Sequence, residues 1–175
     1  TPPFDNTLEI TSFELTVDGE TTTVAASAST PQFILTEQVP GTTHNFSVRA
    51  ENGLGWGDWS GVASFTTDAD VPGKPVGKPE LQAGGSDTEF TVVAQDASYT
   101  GGSPVTHHDI VCDAGVPLVG CNGIVSLGPG ETSFTVTDRR QDLTYEIRSR
   151  AVNALGNGTW SEAAVVTSDL SALPS

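Results

Sequence analysis

The chain has 175 residues, and its seven Lys or Arg face twenty-two Asp or Glu, a formal net charge of −15. That balance argues against nucleic acid or an anionic membrane as partner, because both need cationic side chains to neutralise phosphate. No apolar run approaches the ~20 residues that a membrane span requires, and Thr, Ser, Gly, Pro and Val in place of helix formers suit strands and turns.

Apolar alternation with period 2 is the dominant pattern. Phe13, Leu15 and Val17 alternate with Glu14, Thr16 and Asp18, and Asp18-Gly19 closes that run as a turn. Further strands are predicted through Phe33 and Leu35, through Phe46, Val48 and Ala50, and through Val62 and Phe65. Between Thr67 and Pro75 the pattern lapses into Pro, Gly and acids, the composition of a short stiff linker. Strands then resume at Phe90, Val92 and Ala94, at His108, Ile110 and Cys112, and at Phe134 and Val136. The last two run through Tyr145, Ile147, Ser149 and Ala151, and through Val165. Short strands at this spacing, with turn clusters such as Thr100-Gly101-Gly102-Ser103-Pro104 between them, predict an antiparallel sandwich or barrel.

The chain also repeats itself. Asn52-Gly53-Leu54-Gly55-Trp56-Gly57-Asp58-Trp59-Ser60 returns 101 residues later as Asn153-Ala154-Leu155-Gly156-Asn157-Gly158-Thr159-Trp160-Ser161. Phe33 to Phe134, His44 to Tyr145 and Arg49 to Arg150 keep the same interval, whereas Ile10 to Val105 and Phe13 to His108 are 95 apart. The difference leaves about six extra residues in the second half, where both Cys lie. A repeat of this length points to modules that space, display or bind.

With Ile10-Thr11-Ser12-Phe13-Glu14-Leu15 and Pro104-Val105-Thr106-His107-His108-Asp109-Ile110 as C strands, and the Val39-Pro40-Gly41 corner leading into Phe46-Ser47-Val48-Arg49-Ala50, both halves resemble fibronectin type III modules. The resemblance implies an all-β fold of two tandem immunoglobulin-like antiparallel sandwiches. It departs at Ala94, near the family's strand B Trp, and at His44, which stands at the E–F corner where Tyr145 stands in the second half. It implies residues 1–68 as a partial module with strands C, C′, E, F and G, residues 69–75 as linker, 76–168 as a complete module and 169–175 as the start of a further linker. Residues 71–95, which would hold strands A and B, have no counterpart in the first half. With no starting Met and no signal peptide, the chain reads as a window cut from a longer array. The missing strand pair is expected from outside it, from upstream sequence or a neighbouring subunit.

Cys112 and Cys121 lie nine residues apart across Gly and Pro, so a hairpin would bring them together. In an extracellular module a disulfide is expected, with two buried free thiols as the alternative. Asn45-Phe46-Ser47 and Asn157-Gly158-Thr159 are N-glycosylation sequons. Asn45 faces outward if Phe46 faces in. His107 and His108 are adjacent on a strand, so they point to opposite faces and cannot chelate one ion together. No zinc or calcium-loop spacing and no catalytic set is found, so no metal, cofactor or enzymatic activity is expected. Arg49 and Arg150 share the outward face of strand F, and Trp59 and Trp160 follow the F–G loop. Stacking of Arg49 on Trp59 and of Arg150 on Trp160 is expected, at roughly 0.5–1 kcal/mol per pair. Leu54, Trp56 and Asp58 near the first F–G loop are the candidate contact residues.

These readings converge on a non-catalytic extracellular or cell-surface segment, structural or adhesive, with fibre or filament building as one form of it. The expected partner is protein, either neighbouring modules or copies of this chain, with N-linked glycan at the sequons. A ligand-binding receptor ectodomain, or accessory modules of a secreted enzyme, is the alternative.

Overall fold

The computed structural model describes residues 8–26, 32–86, 88–118 and 120–167. The first seven residues of the expected partial module and the expected linker start at 169–175 fall outside those residues. Contacts divide the chain into two compact units, Thr1–Asp68 and Ala69–Ser175. All regular elements among the described residues are strands.

In the first unit β1 (Ile10–Val17) and β2 (Glu20–Ala25) form a hairpin closed at Asp18-Gly19. Both turn residues have positive φ, 49° and 94°, as the tight turns that match strand twist require. β3 (Thr43–Asn52), β4 (Gly55–Trp56) and β5 (Ala63–Thr66) complete one antiparallel sheet in the order β2-β1-β3-β4, with β5 also on β3. Phe13 pairs with Ala50, Leu15 with Val48 and Val17 with Phe46, so these apolar side chains share one face. Leu15 is the buried apolar residue on that face, and Val48 is 38% exposed.

The second unit has two sheets. β6 (Glu80–Ala83), β7 (Phe90–Val93) and β10 (Ser133–Val136) make one, in the order β10-β7-β6. β8 (Val105–Asp113), β9 (Gly123–Ser126), β11 (Tyr145–Asn153), β12 (Gly156–Asn157) and β13 (Ala164–Val166) make the other. A single apolar core joins Phe90, Val92, Ile110, Val136, Tyr145, Ile147, Ala164 and Val166, with Val125 and Phe134 partly buried against it. Tyr145 meets the Phe90 ring edge-on at 5.4 Å, and its hydroxyl accepts the Arg140 backbone N–H at 2.9 Å. Ala94 and His108, both at core positions, are each 8% exposed.

The repeat makes the two units internal controls for each other. Ser133–Val136 forms β10 by pairing with β7, yet its counterpart 101 residues earlier, Gln32-Phe33-Ile34-Leu35, forms no strand. The strand that the sequence predicts at Phe33 and Leu35 is therefore absent. Strand pairing, not local alternation, decides the matter: the first unit offers this segment no partner among its described residues. Val136 is 1% exposed, and the equivalent Leu35 is 39% exposed.

The segment that reads as a linker belongs to the second unit. Asp70 donates to the Gly101 carbonyl at 2.9 Å, Gly73 to Tyr99 at 3.0 Å, and Pro75 bridges Ala97. Pro72, Gly73 and Pro75 are buried. Any Cβ on Gly73 would run into Ser98 and Tyr99, and one on Gly101 into the Asp70 carbonyl, so both glycines are required by close approach.

Cys112 and Cys121 are joined by a disulfide. It ties the end of β8 to the loop before β9, where Cys112 pairs with Gly123, and both sulfurs lie in the core, 1% exposed. On the chain-entropy account a loop this short contributes roughly 2–3 kcal/mol. Urea denaturation with and without reductant is expected to differ by about that amount in the second unit, and intact protein should show no alkylatable thiol by mass spectrometry.

Candidate functional site

Each unit carries the same polar construction on the outer face of its central strands. In the first unit β1 and β3 are in register with Glu14 opposite Arg49. Arg49 Nε donates to Glu14 Oε2 at 2.7 Å, and Nη2 lies 2.6 Å from the same oxygen. The guanidinium carbon sits 4.8 Å from the Trp56 ring centroid and 4.5 Å from that of Trp59. Both indoles therefore contact one cation.

In the second unit the register places Asp109 opposite Arg150. Arg150 donates from Nε and Nη2 to Asp109 Oδ2 at 3.0 and 2.8 Å, and its guanidinium stands 4.2 Å from the Trp160 ring. The Ser126 hydroxyl donates to Asp109 Oδ1 at 2.6 Å, and His107 Nε2 is 3.5 Å away. Burial pushes the Asp109 carboxyl up, but the Ser126 hydroxyl and the Arg150 guanidinium outweigh it and hold the group below the ordinary carboxylate range.

The retained residues of the repeat build the frame around this stack. Val48 donates its backbone N–H to Ser60 Oγ at 3.0 Å while Ser60 N–H returns to Val48 O at 2.8 Å. Ser161 does the same for Ser149, at 3.0 and 2.9 Å. Gly57 and Gly158 donate to Ala50 O and Ala151 O. Asn52 Oδ1 caps the Leu54 N–H at 3.0 Å, and Asn153 Oδ1 caps Leu155 N–H at 2.9 Å. Asn153 Nδ2 also donates to the carbonyls of Asp70 and Thr100, clamping the docked segment to the hairpin. The repeat is thus a hairpin with its side-chain braces.

At the first hairpin Leu54 is 79% exposed at the tip and Asp58 is exposed, whereas Trp56 is half-buried against Arg49. Leu155, the counterpart of Leu54, is also exposed. Asn45 lies outward on β3, and Asn157 lies outward on β12. His107 is half-exposed on the outer face, and His108 is buried on the inner one. His44 hydrogen-bonds Asp18 through Nδ1 at 2.7 Å and stacks on Phe65 at 5.2 Å between centroids. Asp18 also accepts the Asn45 N–H, and these bonds hold its carboxyl below the usual range, the backbone bond foremost.

Sequence reasoning missed the carboxylates. Glu14 and Asp109 are 95 residues apart, the same interval as the C strands that carry them. Pairing the C and F strands in antiparallel register would have placed each acid opposite its arginine.

Residues 1–66 match the family model described as Fibronectin type III domain. The all-β fold, with its antiparallel immunoglobulin-like sheets, is that of fibronectin type III modules. The chain is 27% identical over 146 residues to fasciclin-2 of Schistocerca americana, covering 71% of this chain and 16% of that protein. It is 25% identical over 171 residues to protein sidekick-2 of Gallus gallus, covering 94% of this chain and 8% of that one. A crystal structure of chicken CNTN1 FN1-FN3 domains superposes with a TM-score of 0.42 at 18% identity, over 90% of this chain and 56% of the other. The chain spans less than a fifth of the length of both sequence relatives.

Arg150→Met strips the partner from a carboxylate that is 4% exposed, and a loss of about 3–5 kcal/mol is expected in chemical denaturation at neutral pH. The acid limb gives the sign. A lowered folded pKa means that Asp109 contributes stability above the unfolded value near ~3.9, lost as pH falls through the folded one. The gap between wild type and Arg150→Met should therefore narrow below about pH 4.

Proposed function

We propose that this chain, which carries a fibronectin type III domain over residues 1–66 and repeats that domain's hairpin frame in its second unit, is an adhesive segment of an extracellular or cell-surface protein. The observation that carries the reading is a braced hairpin frame that holds an apolar residue exposed at its tip. Both units keep Asn, Arg, Trp, Ser and two glycines in braced positions. Between them Gly53 and Ala154, and Asp58 and Thr159, differ at exposed positions, the half-buried Trp56 gives way to the exposed Asn157, and the exposed Leu54 and Leu155 at the tips are shared. A rigid support under an exposed apolar tip is what display of a contact surface requires. The resemblance to fasciclin-2 and sidekick-2 supports the same reading. So does the disulfide, which belongs to an oxidising compartment.

The partner is protein, and the arrangement fits copies of this chain or neighbouring modules of the same array. Leu54 is the apolar anchor, with Asp58 at the rim. Contact between copies must overcome mutual repulsion at a net charge of −15. Clustering should therefore strengthen as salt shortens the screening length from ~30 Å at 0.01 M to ~8 Å at 0.15 M.

Beads coated with the chain provide the measurement. Clumping is expected at 0.15 M salt, weaker at 0.01 M, and reduced at least several-fold by Leu54→Asp. Beads that stay dispersed at both salt concentrations, or that clump equally with Leu54→Asp, would count against homotypic adhesion through this hairpin.

A further inference from the structure

Trp56 and Asn157 occupy one position in two copies of the same hairpin. They are 101 residues apart. Trp56 pairs with Glu51 and Asn157 with Val152, which are also 101 apart. Residues paired across a ladder share a face, and residues two apart on a strand share it too. Trp56 thus stands on the Arg49 side of its hairpin, as its 4.8 Å stack shows, and Asn157 stands on the Arg150 side of the other. Arg49 has two indoles over it, whereas the described residues place one, Trp160, over Arg150.

Asn157 is also the acceptor of the sequon Asn157-Gly158-Thr159. Its side chain and that of Thr159 are exposed, while Gly158 between them is buried. Gly158 donates to Ala151 O at 2.9 Å, and any Cβ there would press on the carbonyls of Pro72 and Ala151. The backbone is therefore fixed and the acceptor amide projects freely, with no hydrogen bond of its own among the described residues. The other sequon is built differently: Asn45 lies within β3, flanked by β1 and β5, and its hydroxyl residue Ser47 is buried.

We propose that Asn157 carries an N-linked glycan whose first N-acetylglucosamine takes the place that Trp56 holds in the first unit, against the Arg150 side chain. The donor is a lipid-diphosphate-linked oligosaccharide. The Asn157 amide nitrogen forms the new bond to the sugar's C1 and loses a proton. The C1–O bond to phosphate breaks, and the lipid diphosphate leaves with that electron pair. The saccharide's flat acetamido and C–H surface then lies beside a guanidinium already fixed in plane by Asp109. The proposal rests on the extracellular reading, which supplies the compartment where the transfer occurs.

The experiment routes the whole chain through the secretory pathway of animal cells behind an added signal peptide, so the site is tested apart from the protein's native location. Wild type is expected to lose one glycan mass on amidase treatment, with Asn157 converted to Asp. Asn157→Gln and Thr159→Ala should each abolish that glycan. An unoccupied Asn157 in the secreted, disulfide-bonded protein would overturn the proposal, as would occupancy confined to Asn45. Trimming to a single N-acetylglucosamine tests the packing. The trimmed protein should melt about 3–6 °C above the bare chain made in bacteria and oxidised, which keeps Asn157, the shift that a cation–π-sized contact gives in a domain of this length. Asn157→Trp made in bacteria and oxidised should recover a similar increment over Asn157→Gln. Equal melting of trimmed and bare protein would overturn the packing on Arg150. Failure of bead clumping with an occupied, stabilising Asn157 would count against the adhesive reading alone.

Discussion

The acid–arginine pair across the two central strands is the constraint on which each unit turns. Glu14 faces Arg49 and Asp109 faces Arg150 in the antiparallel ladders of β1 with β3 and β8 with β11. Strand side chains have period two, so a slip of one residue would send Phe13, Leu15 and Val17 to solvent and the charges inward. A carboxylate buried as these are is far less favourable without its guanidinium than with it. The pair and the apolar alternation therefore select the same register. The indoles follow, because a guanidinium held in plane by a carboxylate presents its flat face to a ring.

The two units share that arrangement and differ in how much lies behind it. In the second, β6, β7 and β10 cover the apolar face, and Phe90, Val92, Ile110, Tyr145 and Ile147 are fully buried. In the first, the described strands form one sheet, and Val48 keeps 38% of its surface in contact with solvent. Burial of a Val or Leu side chain is worth roughly 1.5–3 kcal/mol, so most of the hydrophobic stabilisation among the described residues resides in the second unit.

How much of this was legible in the sequence depended on range. Alternation revealed the strands of the central sheets, because their in-and-out pattern is local. It revealed Phe33 and Leu35 equally well, and there the signal misled: a strand requires a neighbour, and no pattern within a segment reports one. The two Cys were legible as a pair because the hairpin between them is short. Asp70 to Pro75 read as a linker because Pro and Gly erase periodicity, although the same residues dock on Tyr99 and Gly101 through backbone hydrogen bonds that leave no side-chain signature. The equal spacing of arginine and tryptophan marked the cations and rings as candidates for stacking. The carboxylates that aim the cations stayed hidden, since an acid alternating with apolar residues reads as an ordinary solvent-facing position.

The disulfide has a consequence for a chain that carries load. Residues 112–121 are locked at a Cα separation of 4.9 Å. Nine extended residues would otherwise span roughly 30 Å. If tension ever opened the second unit, that length could not be released until the bond was reduced. The tether would lengthen less, and a thiol donor in its surroundings would set how far it could stretch.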